Sequence, residues 1–165
     1  MKKNQHADYD LWILLSRVYH LIAILRKTEL AKYDIQPVQS YILLIIKALG
    51  NDTTPTEISR HVYQQKSSVS DILNRMEKKG LIKKIIKTGG KKRVAVTLTD
   101  MGEEALSFSE NREYLYKVLS SLDESKKRQL ESALEILSDK ALKELSITQK
   151  DFLLPSQIAD YYRNK

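Results

Sequence analysis

The chain has 165 residues, 42% hydrophobic and 30% charged, which suits a soluble globular domain or two small lobes sharing one core. It contains no cysteine, so disulfides, thiolate metal sites and thiol redox switches are excluded, and the composition fits a reducing, cytoplasmic setting. The net charge is +7, and all of the excess lies between Glu57 and Arg93, where eleven Lys or Arg stand against three acids. Outside that stretch seventeen cations meet eighteen acids. Such segregation points to a surface for a polyanion.

Residues 9–32 are expected to form one helix. Leu11, Leu14, Leu15, Val18, Leu21, Ile22 and Leu25 recur at spacings of three and four, and Trp12, Ile13, Tyr19, Ala23 and Ile24 widen the stripe nearly all the way round. One small lobe cannot cover so apolar a helix, which suggests a partner chain. Asp10, Ser16, Arg17 and His20 interrupt the apolar run, and Met1 to Gln5 lack the apolar core of a signal peptide, so no membrane span is expected.

A second helix is expected from about Val38 to Leu49, after Pro37 in a turn, with Gly50 as its stop. Thr54, Pro55 and Glu57 have the spacing of a capping box that opens a short helix with Ile58 and Val62 inward. A further helix over 67–79 carries Val69, Ile72, Leu73 and Met76 on its inner side, and Gly80 ends it. The period then changes to two. Ile82, Lys84 and Ile86, then Val94, Val96 and Leu98, read as two strands, with Gly89-Gly90 as a two-residue hairpin turn. Thr99 or Asp100 is expected to cap a helix to about Leu119. "SLDE" (residues 121–124) has the spacing of a second capping box, opening a last helix to about Leu145 with Leu130, Leu134, Leu137, Ala141 and Leu142 buried. The tail from Ile147 to Lys165 reads either as an amphipathic arm or as frayed.

Helix, tight connection, helix and glycine-turn hairpin is the order of a helix-turn-helix with a wing. The fold class is thus mainly α with a small β-hairpin wing: a winged helix-turn-helix lobe over 37–99, flanked by an N-terminal helix over 1–36 and C-terminal helices and tail over 100–165, the two segments to which the family resemblance given below assigns dimerisation. The outer face of the helix over 67–79 holds Ser67, Ser70, Asp71, Asn74 and Lys78, bordered by Arg75, with Gln64, Gln65 and Lys66 at the helix start, and Ser68 counts with them as a recognition-helix residue. Small hydroxyls, an amide that can pair with adenine, and cations suit groove reading, and a helix start suits phosphate. On the wing, Lys87, Gly89, Gly90, Lys91, Lys92 and Arg93 would follow the sugar-phosphate backbone or enter the minor groove, and Lys83 and Lys84 would add phosphate contacts. Lysines on a hairpin also serve simply as a solvated edge that blocks aggregation.

"TPTEISRHVYQQKSSVSDILNRMEKKGLIKK" followed by "LTDMG" resembles the winged-helix core of the MarR family of regulators, through Thr54-Pro55, Glu57, Ser68-Val69-Ser70, Leu73, Arg75-Met76-Glu77, Gly80-Leu81-Ile82, Leu98-Thr99 and Gly102. The resemblance implies a homodimer with interlocked first and last helices, a palindromic operator on double-stranded DNA, repression, and release by a small ligand between the dimer helices and the DNA-binding lobe. The family wing carries Asp-x-Arg, whereas these positions here read Gly90-Lys91-Lys92, so the acid that steadies the wing arginine is missing.

Catalysis finds no support. His6, His20 and His61 lack ligand spacing, and no nucleotide loop or nucleophile motif is present, so no metal or cofactor is expected. Trp12, Tyr19, His20 and Tyr41 can line a pocket for a small aromatic or phenolic effector, although core and dimer packing explain them as well. A winged-helix module for protein or RNA, without an operator, is the alternative reading, and the charge map favours DNA.

Overall fold

The computed structural model describes residues 2–50, 52–88 and 93–147. Helix α1 spans Lys2–Ala31, about two turns longer at its start than the apolar stripe alone predicts. No glycine or proline stands among its first residues to stop it. The chain then turns through Asp34, whose φ of 54° is left-handed, while the Ile35 N–H bonds back to the Leu30 carbonyl at 3.2 Å. Helix α2 (Pro37–Leu49) begins at Pro37 itself. Its Ile42, Leu43 and Ile45 are wholly buried and form the centre of the core.

Helix α3 (Pro55–His61) starts from the expected box: Thr54 Oγ1 accepts from the Glu57 N–H at 3.3 Å, and a Glu57 carboxylate oxygen accepts from the Thr54 N–H at 2.7 Å. Helix α4 (Lys66–Lys78) buries Val69, Ile72, Leu73 and Met76 as its spacing predicts. Gly80 follows with φ 71°. Strands β1 (Ile82–Lys87) and β2 (Arg93–Leu98) pair antiparallel, from Ile82 opposite Leu98 to Lys87 opposite Arg93.

That register corrects the expected two-residue turn. The connection is five residues, 88–92, of which Gly89, Gly90, Lys91 and Lys92 lie outside the described residues. The reason is parity. Placing Ile82 and Ile86 on the same face as Val94 and Leu98 fixes the pairing, and an odd number of residues must then join the strands. The hairpin's inner end is buried at Ile82, Ala95 and Val96, whereas Ile86 towards its tip is more than half exposed. The stem therefore rises out of the core.

Thr99 caps helix α5 (Asp100–Glu110). The single helix expected to Leu119 is broken: α6 (Glu113–Leu119) starts anew after Asn111 and Arg112. The break is held by α1. Arg26 donates to the Ser109 and Asn111 carbonyls at the end of α5, and Glu29 accepts from the Tyr114 N–H at the start of α6 at 2.7 Å. Arg26 and Glu29 are themselves paired at 2.8 Å. Helix ends leave backbone groups unsatisfied, and this ion pair satisfies them on both sides of the elbow.

The last helix, α7 (Glu124–Glu144), is capped by Asp123, not Ser121. The Ser121 hydroxyl instead donates to the Val118 carbonyl at 2.7 Å, closing the preceding turn. Of its expected buried side only Leu142 is buried in a single chain; Leu130, Leu134, Leu137 and Ala141 are exposed. Most of α1 is likewise uncovered, with Trp12 61% and Tyr19 70% exposed. The core thus sits in the lobe of α2 to α5 and the hairpin, and the two long helices present apolar stripes outward.

Candidate nucleic-acid interface

The packing of α4 decides which of its side chains face outward. Val69, Leu73 and Met76 are fully buried, so Gln65, Lys66, Ser67, Ser68, Ser70, Asp71, Asn74 and Arg75 are all exposed. The first turn of α4 has no acidic residue, and Gln65 makes no side-chain cap, so the start of this helix offers backbone donors and a positive dipole end. The end of α4 is anchored. Lys79 Nζ donates to both the carbonyl and a carboxylate oxygen of Asp34, each at 2.7 Å, tying the helix to the corner after α1.

Wing and helix are joined by Lys84. It belongs to the inward set of β1, with Ile82 and Ile86, and reaches back to α4 rather than outward to phosphate as expected. Its N–H donates to Glu77 Oε1 at 3.0 Å, its Nζ pairs with Glu77 Oε2 at 3.2 Å, and the same Nζ donates to Asn74 Oδ1. The Lys84 N–H bond to the Glu77 carboxylate, with the ammonium beside it, outweighs desolvation and holds that carboxyl below its ordinary value. Lys83 stays exposed on the other face.

At the outermost described pair of the hairpin, Lys87 and Arg93 stand opposite each other, an unfavourable pairing of like charges. Asp52, from the connection between α2 and α3, lies between them. It accepts from Lys87 Nζ and stands 3.8 Å from Arg93 Nη2. The neighbouring Thr53 carbonyl accepts the Val96 N–H at 2.7 Å, fixing this connection against β2. The wing lacks its own acid, and one reaches it from a different part of the chain. Sequence spacing holds no signal for this, because "GND" reads only as a helix stop.

The four aromatic residues named for an effector pocket do not share one cavity in a single chain. Tyr41 lines a cavity of about 170 Å³ with Arg26, Pro37, Ser40, Leu44, Ser109 and Arg112, while Trp12, Tyr19 and His20 stand exposed on α1. Burial, then the nearby Tyr63, pushes the Tyr41 phenol above its ordinary value. A larger cavity of about 300 Å³ lies between Tyr33, Leu81, Met101 and Phe108, with the Tyr33 and Phe108 rings stacked at 4.6 Å. Among the described residues no cluster of acids and histidines could hold a metal ion, and no helix is long and apolar enough to cross a membrane.

An exposed polar helix face beside a cationic two-stranded wing is the geometry of a winged helix-turn-helix, and residues 33–93 match the sequence profile of the MarR family. Residues 33–93 carry a MarR-family winged helix-turn-helix. Among solved structures it is similar to the organohalide-sensing transcriptional regulator RdhR in its 2,4-dichlorophenol-bound form, at 25% identity and a TM-score of 0.75, covering 82% of each chain. The fold is shared with S. aureus MepR in complex with DNA (21% identity, TM-score 0.68, 78% of this chain and 94% of that one). It is shared equally with a mutant E. coli MarR complexed with operator DNA (20% identity, TM-score 0.68, 78% and 96%). No curated protein matches the sequence. The RdhR and MepR structures are those of transcription regulators.

Proposed function

We propose that the protein is a cytoplasmic, homodimeric, sequence-specific DNA-binding regulator, acting as a repressor at a palindromic operator and released by a small aromatic or phenolic effector. The observation that carries this is the exposed face of α4 flanked by the Lys87 and Arg93 stem of a hairpin whose outer end rises out of the core. In this reading α4 enters the major groove, and the wing, with Gly89, Gly90, Lys91 and Lys92 at its tip, follows the adjacent backbone.

Dimerisation through residues 1–36 and 100–165 is supported by the uncovered apolar stripes of α1 and α7. Tyr9, Leu11, Trp12, Leu14, Ile24, Leu134, Ile136 and Leu137 are all exposed in one chain, more contiguous apolar surface than monomers commonly leave to water. A partner chain would also bring further side chains to Trp12, Tyr19 and His20. The effector class is supported by the phenolic ligand of the similar RdhR structure and by the largely apolar cavity at Tyr33, Leu81, Met101 and Phe108.

Random-duplex binding across salt tests the reading. A dimer neutralising about 6–10 phosphates loses roughly 10³–10⁵ in affinity between 50 and 200 mM salt. Selection of duplexes from a random pool should return a two-fold-symmetric consensus with half-sites about 34–36 Å apart. A flat salt response would favour the protein-interaction module, and tighter binding to RNA than to duplex DNA would favour the RNA one.

A further inference from the structure

Asparagine on a recognition helix is commonly matched with adenine, because its carbonyl can accept from adenine N6 while its amino group donates to N7. Asn74 is hindered in doing this. Its Oδ1 accepts from Lys84 Nζ. An ammonium group only donates, so the amide atom turned towards it must be the oxygen, and the amino group points away. Lys84 is itself held by two bonds to Glu77, at 3.0 and 3.2 Å, and its side chain is only 21% exposed. The arrangement is therefore fixed by three residues and not by one mobile lysine.

The ammonium takes one of the two lone pairs of Asn74 Oδ1 and sets a full positive charge beside the other. An adenine N6 amino group approaching that oxygen would bring its own positive protons against this charge, which weakens the bond it can make. Guanine presents two acceptors, N7 and O6, on the same edge. It can take one bond from the Asn74 amino group and gain from the neighbouring positive charge as well.

We propose that Lys84 is a specificity-determining residue, which by holding the carbonyl of Asn74 turns that amide from an adenine reader into a guanine reader. The inference rests on the DNA-binding reading above. Lys84 acts as a positioning residue: it sets what Asn74 offers to the base.

Duplex selection from a random pool, run on the full-length protein, tests this with wild type, Asn74→Ala, Lys84→Met and Lys84→Arg, each checked for cooperative thermal unfolding. Wild type should select guanine at one position of each half-site, by roughly 5- to 150-fold over adenine. Asn74→Ala should erase the preference at that position alone. Lys84→Met should switch it to adenine, and Lys84→Arg, which still donates, should keep guanine. An unchanged base at that position in Lys84→Met overturns the proposal, as does a wild-type preference for adenine that depends on Asn74. Absence of any consensus with wild type refutes the operator reading itself and so separates the two failures.

Discussion

Gly102 sets the propensity of a helix against the packing of its backbone, and the two predict opposite signs for Gly102→Ala. Propensity alone favours alanine by about 1 kcal/mol. Packing forbids it. A Cβ at Gly102 would lie 2.0 Å from the Leu81 carbonyl oxygen and 3.0 Å from its carbon. The obstacle is backbone, so no rotamer change relieves it, and α5 must move away by roughly 1.4 Å to reach ordinary contact. That movement strains the Thr99 N–H bond to Leu81 O (3.2 Å) and the Gly102 N–H bond to Thr99 Oγ1 (3.0 Å). Overpacking costs about 1–3 kcal/mol and a lost cap about 1 kcal/mol. After the propensity gain, the net is a loss of about 1–3 kcal/mol. For a chain of this size that lowers Tm by roughly 2–4 °C per kcal/mol. Thermal unfolding of both proteins at equal protomer concentration reads the difference, since association would otherwise shift Tm. A Tm equal to or above wild type would refute the close approach of α5 to Leu81.

Thr54→Ala removes the cap of α3 and should cost about 1 kcal/mol in denaturant unfolding. Burial raises the Glu57 carboxyl, but its bonds from Thr54, with Arg60 and His61 nearby, hold it below the ordinary 4.5. A depressed carboxylate contributes stability that is present above 4.5 and lost as pH falls through the folded value, so Thr54→Ala should shrink the wild-type loss of stability below that pH. Asp52→Asn frees Lys87 and Arg93 from their shared acid and should steepen the salt dependence of random-duplex binding by about 0.9 for each additional phosphate neutralised; an unchanged slope would show the acid to be idle. Glu29→Gln leaves the guanidinium of Arg26 at the elbow without its counter-charge and should destabilise the chain by about 1–3 kcal/mol in urea unfolding, with unchanged stability refuting the role of the pair.

Much of the lobe is legible in its residues because local rules agree there. Thr54-Pro55-x-Glu57 states where α3 begins, and Val69, Ile72, Leu73 and Met76 state which side of α4 is inward. The outward side, from Gln65 to Arg75, follows by subtraction. What spacing cannot show is contact between distant residues. Asp52 reaches the wing across 35 positions of sequence, and Arg26 reaches Ser109 across 83. The elbow at Asn111 is invisible locally for that reason: the sequence from Asp100 to Leu119 is compatible with one helix, and the groups that stabilise its interruption belong to α1. The hairpin connection departs from its local pattern for a different reason. Gly89-Gly90 is a strong local signal for a two-residue turn, but the strand faces demand an odd connection, and burial outranks turn preference.

The two kinds of surface also explain why the chain is built as it is. The lobe closes on itself, with Ile42, Leu43, Ile45, Ile58, Val69 and Met76 at zero exposure, so it needs no partner to hold its shape. Helices α1 and α7 do not close. Yet α1 is not a loose appendage, because two polar ties run from its C-terminal end into the rest of the fold. One is Arg26 and Glu29 to the α5–α6 elbow, and the other is Asp34 to Lys79 at the end of α4. Hydrogen-bonded ties of this kind are directional, unlike apolar contact, and they fix orientation as well as distance. Asp34 stands in the turn after α1, so its bonds to Lys79 tie the end of α4 to that turn, while Arg26 and Glu29 tie α1 itself to the elbow.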